Sequence, residues 1–107
     1  RAMPVTPSLT RYVVRVLRAT HPDDKNATAG VKQYVRFGGS PRGAQSVLLA
    51  ARVRAAIDGR TSPSVEDVKA VVTQALRHRV LLNFEGEAEG VSTDAVLEEV
   101  LTKVKPD

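Results

Sequence analysis

The chain is 107 residues long, 42% hydrophobic and 26% charged, which suffices for one modest core and not for two independent ones. No apolar run approaches the roughly 20 residues of a membrane-spanning helix, Arg11, Arg15 and Arg18 interrupt the stretch where a signal peptide would lie, and the lack of cysteine excludes disulfides, thiolate metal sites and cysteine nucleophiles together, so a cytoplasmic chain is expected. The net charge of +4 hides an asymmetry: residues 1–79 hold 14 Lys/Arg against 5 Asp/Glu and residues 80–107 hold 2 against 7, a basic body suited to an anionic partner followed by an acidic end.

In chain order, the first periodic segment is Leu9, Tyr12, Val13, Val16 and Leu17, whose spacing puts all five on one face of a helix predicted over residues 8–20. Pro7 and Ser8 are its cap and first-turn candidates, and Pro22 disfavours its continuation. Arg11, Arg15 and Arg18 fall on its outer face. Residues 22–33 are polar and include Pro22, Asn26 and Gly30, which predicts a surface loop. The short runs 34–37 and 80–84 are expected to form at most one small two-stranded pairing.

A second helix is predicted over residues 41–57, with Ala44, Val47, Leu48, Ala51 and Ala55 on one face, Ser40 as N-cap, Pro41 at the first position and Gly59 just past the end. A third begins at Ser64, with Asp67 placed to complete a capping box, and buries Val65, Val68, Val72, Ala75 and Leu76. It ends in Arg77, His78 and Arg79, cations at the favourable end of the helix dipole. An acidic linker over residues 85–90 leads to a fourth helix from Ser92, stapled by Val91 and Val96, whose face is Val96, Leu97, Val100, Leu101 and Val104. Each stripe is too weak to fold alone, so the prediction is an all-α four-helix bundle filling residues 1–107 as one domain.

Little here supports catalysis by the chain itself. It has no G-x-x-x-x-G-K-[ST] phosphate loop and no histidine with a nucleophile nearby, and His21 and His78 are too few for an all-protein zinc or iron site. The constellation with chemistry in it is Gly38, Gly39, Ser40, Pro41 and Arg42. Two glycines let the backbone approach a ligand, the helix start offers free N–H groups, and Arg42 sits in the first turn, where a cation opposes the dipole by about 0.3–1 kcal/mol. Backbone donors, dipole and guanidinium all favour an anion, phosphate above all, although Gly-Gly-Ser-Pro also serves as ordinary turn and cap chemistry. A rival reading is a free-standing basic helical module that binds nucleic acid through Arg11, Arg15, Arg18, Arg52 and Arg54. The four aromatic residues are not interleaved with these cations as a single-strand platform would be.

Several motifs in register add a resemblance. Phe37-Gly38-Gly39-Ser40-Pro41-Arg42-Gly43-Ala44, the alanine- and arginine-rich helix after it, SVEDV at 64–68, Leu76-Arg77-His78-Arg79-Val80 and FEGEAEGV at 84–91 together resemble the C-terminal lid of MoxR-type AAA+ ATPases, from about residue 9 to 104. The family's usual motif is Gly-Ala-Ser-Pro-Arg, so Gly39 departs by one methyl group, which is expected to leave the cap and the arginine undisturbed. The resemblance implies a lid that follows an ATP-binding core absent from this chain, with ATP's magnesium held by that core. It implies that Arg42 is the second-sensor arginine, positioned by Gly38, Gly39 and Ser40, and that the lid couples ATP hydrolysis to chaperone-like remodelling. Arg77, His78 and Arg79 become candidates for contact with the core or a neighbouring subunit of a ring, commonly a hexamer, and proteins with a von Willebrand A domain become candidate partners. Arg1 is then read as the edge of an excised piece of a longer ATPase.

Overall fold

The computed structural model describes residues 3–107. Helix α1 (Pro7–Ala19) starts one residue earlier than predicted: Thr6 is the N-cap, its hydroxyl accepting the Leu9 N–H at 3.2 Å, and Pro7 takes the first position. Leu9, Tyr12, Val13, Val16 and Leu17 are all buried, so the periodic face is the core face.

Part of the polar stretch 22–33, predicted as a surface loop, is helical. After a run of turns the chain forms α2 (Ala29–Tyr34), started by Thr28, whose hydroxyl accepts the Val31 N–H at 3.2 Å, and anchored by the buried Val31. A six-residue helix has no stability of its own, and α2 forms because it leans on the last two helices of the chain. It runs directly into β1 (Val35–Phe37), which pairs antiparallel with β2 (Leu81–Leu82), Val35 opposite Leu82 and Phe37 opposite Leu81, with an irregularity between. This is the single small pairing expected.

Helix α3 (Pro41–Ile57) buries Gly43, Val47, Ala51 and Ala55, with Ala44 and Leu48 partly covered. It closes as predicted: Gly59 takes φ +77°, its N–H reaches the Ala56 carbonyl at 3.0 Å, and the Arg60 N–H reaches Ala55 at 2.9 Å. Helix α4 (Val65–Leu76) opens on the predicted capping box, the Ser64 hydroxyl accepting the Asp67 N–H and the Asp67 carboxylate accepting the Ser64 N–H at 2.7 Å. That carboxylate is fully buried and also takes Arg54 at 2.7 Å and Arg60 at 2.5 and 2.7 Å, tying the end of α3 and the loop after it to the start of α4.

Residues 85–90 are also not the acidic linker expected. Asn83 starts a short helix, α5 (Phe84–Ala88), by accepting the Gly86 N–H at 2.8 Å while its own amide donates to the Gln33 carbonyl at 2.7 Å. Gly86 makes this docking possible, since a Cβ there would lie 3.0 Å from the Tyr34 carbonyl oxygen. Helix α6 (Thr93–Lys103), capped by Ser92 through the Ala95 N–H, completes the chain. The four predicted long helices therefore stand, with two short ones added where docking replaces periodicity. α3 packs mainly on α4, α1 crosses α3 and α6, and the core lies between these four.

Candidate anion site at the start of the third helix

The loop into α3 is held from the far side by the end of α1. The buried Thr20 hydroxyl donates to the Leu17 carbonyl at 2.5 Å and accepts the Gly39 N–H at 2.9 Å. The His21 ring lies with Nε2 2.7 Å from the Gly39 carbonyl oxygen; since a carbonyl only accepts, His21 donates there. Gly38 packs directly on this support, because a Cβ on it would fall 2.7 Å from the Thr20 carbonyl and 2.8 Å from the His21 ring. Gly38 is thus required for close approach to the end of α1, and Gly39 packs against the Leu17 side chain.

Ser40 occupies the N-cap position with extended backbone, as expected, but its side chain makes no capping hydrogen bond. Its carbonyl accepts the Gly43 N–H at 2.8 Å and the Ala44 N–H at 3.3 Å. Pro41 brings no donor, so the Arg42 N–H is left facing outward without a partner among the described residues. No acid stands in the first turn of α3, in contrast to α4 and α6. Arg42 itself is exposed and makes no ion pair or hydrogen bond among the described residues. An uncapped helix start with a cation in its first turn violates two local stability rules at once, each worth about 1 kcal/mol or less. Local rules broken together in this way make the start of α3 a candidate functional site.

The three residues after α4 separate. Arg77 turns away to a two-pronged contact with Asp94, Nε to Oδ1 and Nη2 to Oδ2, both 2.8 Å, which holds the Asp94 carboxyl below its ordinary range. His78 is exposed. The Arg79 stem runs beside Gly43, its Cδ 3.7 Å from where a Cβ of Gly43 would lie, so it shares the first turn of α3 with Arg42. Thr20 and His21 lie outside the sequence-derived site. The available signal is a threonine and a histidine at a helix end just before Pro22.

The cations of the nucleic-acid reading do not form one free face. Arg11 and Arg15 both hold Asp107, at 2.7 and 2.8 Å, Arg54 holds Asp67, and the Arg52 Nε is buried without a partner. No described helix is long and apolar enough to cross a membrane.

The AAA lid domain family matches residues 27–100 of the chain, a helical bundle with one small strand pair. The chain belongs to that family, and within it to the MoxR type. It is 37% identical over 97 residues to the chaperone MoxR1 of Mycobacterium tuberculosis, an alignment covering 91% of this chain and 26% of that protein. It is 34% identical over 85 residues to protein MoxR of Paracoccus denitrificans, covering 73% and 24%. Among solved structures, a presumed ATPase from Cytophaga hutchinsonii matches with a TM-score of 0.92 at 31% identity, over 98% of this chain and 32% of that one. The chain spans about a quarter of the length of these curated relatives.

Proposed function

We propose that this chain is the lid of an ATP-hydrolysing MoxR-type AAA+ protein, and that Arg42 is its second-sensor arginine, reaching the γ-phosphate of ATP bound by a core outside this chain. The observation that carries the reading is the exposed, unpaired Arg42 in the first turn of a helix without a side-chain cap or an acid. The donor set fits one side of a triphosphate: an outward N–H, a guanidinium able to take two phosphate oxygens, and the positive end of a 17-residue helix. Bound ATP would supply the charge whose increase in phosphoryl transfer such a cation stabilises, with its magnesium held by the core. Thr20 and His21 fix the backbone of Gly39, so Arg42 is presented from a rigid platform and reports the phosphate as a movement of the whole lid. In this reading that movement couples hydrolysis to chaperone-like remodelling within a ring of subunits. A partner with a von Willebrand A domain and a cytoplasmic setting belong to the same proposal and rest on the resemblance alone.

The outer face of α3 supports a docked core. Leu49, Val53 and Ile57 are 60%, 50% and 83% exposed, and at about 100° per residue they lie within roughly 60° of the direction of Arg42. One helical face thus carries the arginine at its head and an unpartnered apolar stripe behind it, which a single rigid body can cover. We assign that body as the chain's own ATPase core, because it is the core that must hold the phosphate Arg42 reads.

The deciding experiment is Arg42→Ala in the full-length ATPase. A fall in turnover of at least about tenfold with an unchanged melting temperature is expected, with partial retention in Arg42→Lys, which keeps the charge and loses the fork. Unchanged turnover and unchanged nucleotide affinity would overturn the sensor role.

A further inference from the structure

Arg15 and Arg18 lie on the outer face of α1, and the fold brings them together with residues some 85 positions later. They line, with Asp24, Lys25, Asn26, Lys103, Val104 and Lys105, a pocket of about 350 Å³. Three separate segments converge there: the last turns of α1, the turn after it, and the end of α6 with the tail that follows.

Positive charge in the pocket outnumbers negative. Arg15 is answered by Asp107 and also donates to the Lys105 carbonyl at 2.8 Å, which fixes the tail against α1. Lys103 donates to the neutral Ala27 carbonyl at 3.2 Å and so keeps its full charge facing the pocket. Arg18, Lys25 and Lys105 are exposed and have no acidic partner among the described residues. Against these four cations the lining offers one carboxylate, Asp24, which accepts the Asn26 N–H at 2.9 Å and keeps its charge, leaving an excess of three positive charges. The Asn26 side-chain amide is left as a neutral donor at the rim.

We propose that this pocket binds an oligophosphate, a small anion with two or more linked phosphates, at a site separate from the start of α3. Several ammonium groups on flexible stems around a small concavity match an anion of charge −3 or more, and Asn26 and Arg18 supply direction. An extended acidic peptide fits less well, because no free strand edge borders the pocket and its apolar lining is Val104 with the lysine and arginine stems.

The test uses the isotope-labelled 107-residue chain titrated with sodium tripolyphosphate, ATP and sulfate at matched ionic strength near 150 mM. Saturable movement of the backbone amides of Arg18, residues 24–26 and residues 103–105 by tripolyphosphate, with sulfate far weaker, is expected. The double variant Lys25→Ala, Lys105→Ala should weaken that binding about tenfold and Arg42→Ala should leave it unchanged. Both lysines are exposed with side chains that hold nothing in the fold, so unmoved amides elsewhere will report an intact variant. Equal binding of tripolyphosphate and ATP would mean that the phosphate chain alone is read, and tighter binding of ATP would point to a nucleotide as the source. No saturable movement, movement confined to residues 38–44, or binding indifferent to the lysine pair would each overturn the proposal. The Arg42 reading stands or falls separately, since its test is turnover of the full-length protein.

Discussion

A Cβ built on Gly38 would meet backbone and a ring, the Thr20 carbonyl at 2.7 Å and His21 at 2.8 Å, whereas one on Gly39 would overlap only the Cδ1 terminus of Leu17. Backbone cannot yield without moving the end of α1, while a leucine methyl can rotate aside. Gly38→Ala should therefore destabilise the chain by about 1–3 kcal/mol and Gly39→Ala by less than about 1 kcal/mol, read from denaturant midpoints with unchanged slope. An alanine methyl at position 39 would take space that a core side chain can vacate. If Gly38→Ala proved as mild as Gly39→Ala, the tight seat of the loop on α1 would be wrong. The expectation that one methyl at position 39 leaves the arginine undisturbed thus acquires a condition, namely that Leu17, itself buried, repacks.

At the scale of elements, the junction of α3 and α4 turns on Asp67. Hydrogen bonds from Arg60 hold its carboxyl far below the usual carboxylate range, with the Ser64 N–H and Arg54 adding to the effect and burial opposing it. Because the folded-state value is depressed, the stabilisation is complete above the unfolded carboxylate value of about 4 and is lost as the pH falls below that toward the folded value. Asp67→Asn should cost about 2 kcal/mol at pH 7, since both arginines are partly exposed and can rehydrate. The gap between variant and parent should stay constant above about pH 5 and shrink below about pH 4. A gap independent of pH would show that shape, not charge, is what Asp67 contributes. This cluster also marks the limit of what the sequence could tell. The capping box of Ser64 and Asp67 was legible because its partners are three residues apart, but the arginines that complete it lie 13 and 7 residues before Asp67. The four long helices were legible for the same local reason, through repeated spacing of three and four. α2 and α5, six and five residues long, are too short for a period to register, and their caps Thr28 and Asn83 were the available signals. The anion site was legible in its local half, residues 38–42, and hidden in its support, since Thr20 and His21 reach Gly39 from 19 and 18 residues earlier.

Across the whole molecule, the bundle measures 44 × 23 × 21 Å, and an exposed apolar stripe runs along one helix. From Arg42 to Ile57 is 15 residues, about 22 Å of α3, so a body that receives the arginine at one end has half the length of the lid to dock on. Replacing Leu49, Val53 and Ile57 by glutamine keeps helix propensity and removes the apolar stripe. The 107-residue chain should then keep its stability within about 1 kcal/mol and self-associate less, because these side chains are half or more exposed. In the full-length ATPase the same triple variant should lower turnover in the manner of Arg42→Ala, since an undocked lid cannot present the guanidinium. The decisive quantity is the coupling between the two changes. If the stripe acts by delivering Arg42, adding Arg42→Ala to the triple variant will cost little more, whereas independent roles would multiply. Full turnover in the triple variant would mean that the outer face of α3 does not carry the core, and the arginine would then have to reach its phosphate from a lid held elsewhere.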